Sequence, residues 1–315
     1  MSELLRVESM SVGFSTDQGR IAVTDGVSFT VNAGEVFALV GESGCGKSVT
    51  AMGLLGLLPF PSGQILQGHA WFQGMDLLAL SKEALRAFRG QQIGFIFQEP
   101  MASLNPVLRI EKQLLECLPN EEAPIVLDRA RLLLKQAGIS EVERILKAYP
   151  HELSGGMLQR VMIVMAILPK PKLLIADEPT TALDVTVQSQ VMRSLANLCR
   201  NEGVGLLLIT HNLALVAQYA DRVAVMYAGR KVEEGKVEQV LQAPLHPYTQ
   251  GLLAAIPRFL GLQSLKAIPG SVPKAKDYVP GCRFATRCEK QSDKCLERPL
   301  WRSVGNDHSL ECHHV

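Results

Sequence analysis

The chain has 315 residues, of which 47% are hydrophobic and 20% charged, and its formal net charge is +1. This length and apolar content suit one large domain with an appendage, or two modest domains. Near-neutral charge and 5% aromatic residues argue against a nucleic-acid or anionic-lipid binder, which needs basic surface and stacking rings.

Met1-Ser2-Glu3-Leu4-Leu5-Arg6 has no cationic stretch followed by an apolar core, so no signal peptide is expected. The longest apolar stretches are Ala51 to Phe60 and Val161 to Leu168. Both fall well short of the roughly 20 residues that cross a bilayer. A cytoplasmic protein is expected, one that reaches a membrane only through a partner.

In chain order, Leu4 to Glu8 alternates as a strand does, and Val27 to Val31 is a second strand after a polar turn. An N-terminal antiparallel β subdomain is expected here. Val36-Phe37-Ala38-Leu39-Val40 is continuously apolar, the pattern of a strand covered on both faces of a parallel sheet. It runs into Gly41-Glu42-Ser43-Gly44-Cys45-Gly46-Lys47-Ser48 and then an apolar helical segment to about Leu58. Ser81 to about Tyr149 is helical and more polar, broken at Pro100, Pro106, Pro119 and Pro124. Strand-like runs return at Leu173 to Ala176 and Gly205 to Thr210, with helical segments around them. Alternating strands and helices predict an α/β fold with a mostly parallel sheet. Beyond Pro244 the prolines are frequent and periodicity fades, which places a boundary near residue 245.

Gly41 to Ser48 fits the G-x-x-x-x-G-K-[ST] phosphate loop. Glycines let the backbone curl so that successive N–H groups point at phosphate oxygens, and the following helix adds its positive end. Lys47 supplies a charge to the β- and γ-phosphates, and the Ser48 hydroxyl ligates Mg²⁺. Cys45 lies inside the loop, where only its backbone is needed. Leu173-Leu174-Ile175-Ala176-Asp177-Glu178 is an apolar strand ending in two acids. At the strand tip Asp177 can hold Mg²⁺ through water, and Glu178 can take a proton from the attacking water. Alone, such a strand end is as readily a solvated acidic turn; behind a phosphate loop the catalytic reading wins.

Leu153-Ser154-Gly155-Gly156-Met157 resembles the LSGGQ signature of ABC ATPases, with Met157 in place of the glutamine. Gln98, after Ile93 to Phe97, resembles their Q-loop. Thr181-Ala182-Leu183-Asp184 resembles the D-loop, and His211 resembles the switch histidine. The resemblance covers residues 1 to about 240. It implies a P-loop NTPase fold of the ABC nucleotide-binding type over residues 1–245, with a helical subdomain at about 99–160 and an extension at 246–315. It also implies that Ser154, Gly155 and Gly156 contact the γ-phosphate bound to a second ATPase subunit, with Asp184 at the seam. A serine and two glycines at a helix start suit an anion site. By the same resemblance His211 holds the γ-phosphate and Glu178, Gln98 links metal and water to the helical subdomain, and Phe14 stacks on adenine. An active ATPase using ATP and Mg²⁺ is expected.

Phe97 to Pro106, Asp177 to Thr186 and His246-Pro247-Tyr248-Thr249 resemble the dipeptide/oligopeptide/nickel importers. There a membrane permease inserts a coupling helix at the Q-loop region and helical subdomain. So read, the chain is the energy-coupling subunit of a peptide-type importer, on the inner face of the plasma membrane. Its partners are a second ATPase, expected to be a paralogue, two permease subunits and, indirectly, a solute-binding protein. A soluble ABC ATPase of the DNA-repair or iron–sulfur-assembly type is the alternative; neutral charge and the lack of a large insertion weigh against the first.

Cys282-x5-Cys288-x6-Cys295-x16-Cys312 occupies the tail. Four clustered thiols without a secretory signal read as metal ligands more readily than as disulfides. The tail also resembles the region where peptide-importer ATPases bind a [4Fe–4S] cluster. Structural zinc is the rival, although Cys₄ zinc ligands usually come as two close pairs; disulfides or unliganded thiols remain, and His308, His313 and His314 are substitutes for one ligand.

Overall fold

A computed structural model describes residues 2–17, 19–99, 103–181, 183–255, 267–305 and 307–315. Pro100, Met101 and Ala102 of the Q-loop stretch and Ala182 of the D-loop stretch lie outside the described residues. The chain divides into two compact units. One comprises Met1–Leu4, Val31–Val36 and Leu80–Ile209, the other Leu5–Thr30, Phe37–Ala79 and Thr210–Val315.

In the first unit the strand Leu173–Asp177 lies between Ile93–Ile96 and Gly205–Thr210, all parallel. Every residue of Leu173–Asp177 and of Gly205–Thr210 is buried. The unbroken apolar runs of the sequence correspond to that two-sided burial. Helix Ala123–Gln136 buries Val126, Ala130, Leu133 and Leu134, the spacing of one helical face. It packs against helix Gly155–Ile167, which packs in turn on helix Val185–Glu202. Gly203, in the left-handed region at φ 68°, ends that last helix. Around Pro106 the chain is held by Gln113, whose side chain accepts from the Asn105 N–H and donates to the carbonyls of Asn105 and Leu108.

The second unit contains the expected antiparallel sheet. Strand Glu3–Thr16 pairs with Gly19–Ala22, Val27–Asn32 and Gly63–Phe72, and the last carries Met75–Asp76. Strand Val36–Val40 pairs in parallel with Arg222–Tyr227, and Arg230–Lys236 returns antiparallel to it. The tail has little periodicity, yet it adds two short strands here. Ser309–Glu311 pairs with Arg230–Lys236, and Trp301–Ser303 pairs with Ser309–Glu311. These strands are three residues long, too short for alternation to stand out against a proline-rich background. Tyr248 and Phe284 of the tail are buried in one cluster with Val40, Val223, Val225 and Tyr227.

Strand Glu3–Thr16 shifts register against Gly63–Phe72 between Glu8 and Val12, and Ser9 there adopts φ 47°. Gly68 faces that irregularity at φ 99°; an added Cβ would lie 2.5 Å from the Met10 Cα and 2.6 Å from the Glu8 oxygen. Both obstacles are backbone, so neither can swing aside. Gly68→Ala is expected to cost about 2–3 kcal/mol of stability, the scale of a strained backbone residue, measured as a lower denaturation midpoint with an unchanged denaturant slope.

Candidate functional site

In the second unit, Val36–Val40 delivers the chain to Gly41, whose backbone lies flat against the neighbouring strand. A Cβ there would sit 2.2 Å from the Met226 carbonyl oxygen. Gly41, Gly44 and Gly46 take φ of 153°, 80° and 101°, values open to glycine at little cost. Gly46 is the N-cap of helix Lys47–Leu54. Lys47 is buried, and its Nζ donates to the Gly41 and Glu42 carbonyls at 2.9 and 3.1 Å. The ammonium therefore sits inside the curl of the loop, beside the helix end that favours anions. Cys45 is fully buried and burial pushes its thiol pKa up, so the side chain stays protonated; its carbonyl accepts from the Gly229 N–H at 2.9 Å.

The remaining expected residues of this unit are more scattered. Phe14 is half-buried, and its ring approaches Gly63 across the sheet. His211 is exposed just after strand Gly205–Thr210. Asn212 beside it caps helix Leu213–Tyr219 by accepting from the Ala214 and Leu215 N–H groups.

The acidic strand of the first unit ends at Asp177, which is buried. Glu178 follows in the left-handed region at φ 47°, with its N–H on the Ile209 carbonyl. Its Oε2 accepts from the Thr181 hydroxyl at 2.8 Å and from Gln98 Nε2 at 3.4 Å. Gln98 and Glu178 are thus brought together. The part of Thr181 was not foreseen; a hydroxyl three residues after the acid was its only sequence signal. Ser154 caps helix Gly155–Ile167, accepting from the Met157 N–H at 3.4 Å. A Cβ on Gly156 would lie 2.7 Å from Val187 Cγ1, and one on Gly155 would lie 3.3 Å from Leu183 Cδ2. The signature glycines therefore also allow two helix starts to approach closely. Asp184 caps the second of these helices, its Oδ1 accepting from the Val187 N–H at 3.0 Å.

In the tail, the Cys282 N–H donates to the Cys295 carbonyl at 2.9 Å, and Gly281 packs so tightly there that a Cβ would lie 2.5 Å from that oxygen. Burial, with a further contribution from Cys295, Cys312 and Cys288, pushes the Cys282 thiol up to about 11. Cys288 and Cys312 are raised by burial and by neighbouring thiols in the same way. Backbone pairing thus joins the Cys282 and Cys295 stretches of the tail. His314 lies against this group, with Nε2 3.5 Å from Cys295 Sγ and its N–H on Cys312 Sγ. Among the described residues, no three His, Cys, Asp or Glu side chains form a group that could hold a metal ion.

Residues 24–181 match the family model for ABC transporters, and residues 232–295 match that for the C-terminal region of oligopeptide/dipeptide transporters. The oligopeptide transport ATP-binding protein AppD of Bacillus subtilis is 48% identical over 94% of this chain and 91% of its own length. The dipeptide transport ATP-binding protein DppD of Escherichia coli is 43% identical over 99% of this chain and 96% of its own. Among solved structures, a dimeric ATP-binding cassette in a post-hydrolysis state bound to ADP and Pi superposes with TM-score 0.65 at 26% identity, covering 74% of this chain and 99% of that one. A second, cbiO1 from Clostridium perfringens, gives TM-score 0.66 at 26% identity over 77% of this chain and 92% of that one. The chain belongs to the ABC transporter family, among its oligopeptide and dipeptide ATP-binding proteins.

Proposed function

We propose that this chain is the ATP-hydrolysing, energy-coupling subunit of a peptide importer. The observation that carries the reading is that likeness to AppD and DppD runs through the tail as well as the nucleotide-binding region. Lys47 and N–H groups within the Gly41 to Ser48 loop hold the β- and γ-phosphates of ATP. The Ser48 hydroxyl, Asp177 and Gln98 serve Mg²⁺, which neutralises charge on the phosphates when bound. Glu178 accepts the proton of the attacking water. Its contacts with Thr181 and Gln98 fix the carboxylate's orientation before reaction, which lowers the cost of reaching the productive geometry. His211 steadies the γ-phosphate, and Phe14 stacks on adenine. Ser154, Gly155 and Gly156 reach the nucleotide of a second subunit, with Asp184 at the seam.

Pairing with a second ATPase, read as a paralogue, follows from that division of labour, and the dimeric cassette among the similar structures supports it. No helix among the described residues is long and apolar enough to cross a membrane. Attachment to the inner membrane face is read, from the likeness to peptide transport ATP-binding proteins, as running through two permease subunits. Residues 1–245 form the nucleotide-binding domain, with the helical subdomain at about 99–160, and 246–315 the extension. Glu178→Gln should keep ATP binding and stabilise an ATP-bound dimer, while lowering turnover about a hundredfold or more, as loss of a general base does. Undiminished turnover would overturn the assignment of Glu178. Disrupting the gene in its host should abolish growth on di- or oligopeptides as the amino-acid source. Unchanged peptide use, or loss of nickel uptake alone, would overturn the peptide reading.

Cys282, Cys288, Cys295 and Cys312 are proposed to hold a [4Fe–4S] cluster, with a single zinc as the rival. The backbone pairing of Cys282 with Cys295, and the contacts of His314 with Cys295 and Cys312, bring thiols of one short segment together, which supports a shared inorganic centre. Protein purified without air should be brown, with iron and acid-labile sulfide in equal amounts, and serine at Cys288 should remove both. A colourless protein, with zinc or with no metal, would refute the cluster.

A further inference from the structure

Glu42 is the second residue of the phosphate loop, a position the loop's motif leaves open to any side chain. In this chain it is held at three points. Its N–H donates to the Tyr248 hydroxyl at 2.9 Å. Its carboxylate takes a two-pronged contact from Arg287, Nη1 to Oε2 at 2.8 Å and Nη2 to Oε1 at 3.2 Å. Its carbonyl accepts from Lys47 Nζ at 3.1 Å. Two of the three holds come from the tail, and the third is the loop's own lysine.

The Arg287 side chain is 5% exposed, and its guanidinium is committed on every side. Nε donates to the Pro269 carbonyl at 2.8 Å, Nη2 also reaches the Gly270 carbonyl at 3.4 Å, and Nη1 reaches the Tyr227 hydroxyl at 3.3 Å. A planar guanidinium matches a carboxylate prong for prong, which fixes orientation as well as distance. Tyr248 is itself wedged between Tyr227 and Phe284, with ring centroids 4.6 and 5.4 Å away. Neither tail group can drift without disturbing a buried cluster. A rigid hold on Glu42 fixes where its carbonyl, and hence the ammonium of Lys47, sits in the loop.

We propose that the cysteine-bearing tail is part of the nucleotide site, with Arg287 and Tyr248 as positioning residues that set the phosphate loop through Glu42. This rests on Gly41 to Ser48 being the phosphate-binding loop. The tail touches no phosphate; it pre-shapes the loop that does, and so removes part of the ordering cost of binding.

The test is ATP titration of the purified full-length chain. Arg287→Ala should weaken ATP binding about five- to tenfold, the size of one charge-assisted contact acting through a neighbour. Tyr248→Phe, which removes only the hydroxyl, should weaken it about two- to threefold. Glu42→Ala added to Arg287→Ala should cause no further loss, because both break the same link. In the assembled ATPase, the KM for ATP should rise by the same factor while kcat at saturating ATP stays within about twofold. Unchanged ATP affinity in the Arg287 and Tyr248 variants, or independent adding of the Glu42 and Arg287 effects, would overturn the proposal. Should Arg287→Ala fail to fold, Arg287→Lys and Tyr248→Phe decide it, since lysine keeps the charge but not the fork. Lys47→Ala tests the underlying reading separately. It should abolish binding with the tail contacts intact, and binding like wild type would remove the loop assignment whatever the tail variants do.

Discussion

A phosphate loop must turn most of its N–H groups toward the ligand, so few are left to hold its own shape. The shape must be imposed from outside, and here much of the second unit does so. Gly41 lies against the Met226 carbonyl, the Cys45 carbonyl takes the Gly229 N–H, and Gly46 is pressed on Thr24, where a Cβ would lie 2.7 Å from Cγ2. Each contact demands either a glycine or a backbone donor at one place. The turn at Ala228 and Gly229 is itself fixed, because Arg283 donates to the Ala228 carbonyl and the Asp25 N–H reaches the Gly229 carbonyl at 2.9 Å. The loop is the end point of a chain of constraints, and that chain passes through the tail.

The same principle orders the first unit. Glu178 comes straight out of a buried strand into a left-handed backbone conformation, one that disfavours any residue with a Cβ. Its carboxylate is then aimed by two donors, Thr181 and Gln98. The Ser154 hydroxyl and the Asp184 carboxylate close off backbone donors at two helix starts, and Gly156 lets those starts meet. Here too the group proposed to react is simple and the geometry around it is demanding.

These two cases account for what was legible in the sequence. Gly41 to Ser48, Asp177 with Glu178, and Ser154 to Gly156 are short stretches whose proposed chemistry depends on neighbouring residues, so linear spacing suggests it. The two-sided burial of Val36–Val40 was equally plain, since a short unbroken apolar run between turns fits a strand covered on both faces. What escaped were partners distant in sequence. Tyr248 stood in a recognisable His-Pro-Tyr-Thr stretch, but nothing local says that its hydroxyl meets a residue 206 positions earlier. Arg287 looked like one basic residue among 32. The tail strands were hidden because Ser309–Glu311 pairs with the distant Arg230–Lys236 and Trp301–Ser303 pairs with Ser309–Glu311, pairings that no pattern of their own reveals.

The tail's placement raises a question of energetics that burial alone does not answer. Its most buried apolar anchors in the core cluster are Tyr248 and Phe284, with Leu252, Leu253, Ile268, Val272 and Tyr278 packed against that cluster, and charged contacts run beside them. Asp25 receives Arg230 and Arg283 at 2.9 and 3.0 Å and Arg298 at 3.6 Å, while Glu311 receives Arg298 at 3.2 Å. Burial opposes the charge of Asp25, but these arginines outweigh it and hold its pKa below the usual carboxylate value. For Arg283 the balance falls the other way. Burial and the neighbouring Arg230 bring its pKa down to about 10, with Asp25 resisting. Such a network adds little net stability, because desolvation offsets most of the attraction. Its value lies in direction. An apolar surface accepts a proline-rich segment in many registers, but arginines that must each meet a fixed acid or carbonyl accept only one. Register is what Arg287 needs, since a shift of one residue along the tail would take its fork away from Glu42. The charged network is therefore best understood as the alignment that lets a loosely patterned tail deliver one guanidinium to the phosphate loop.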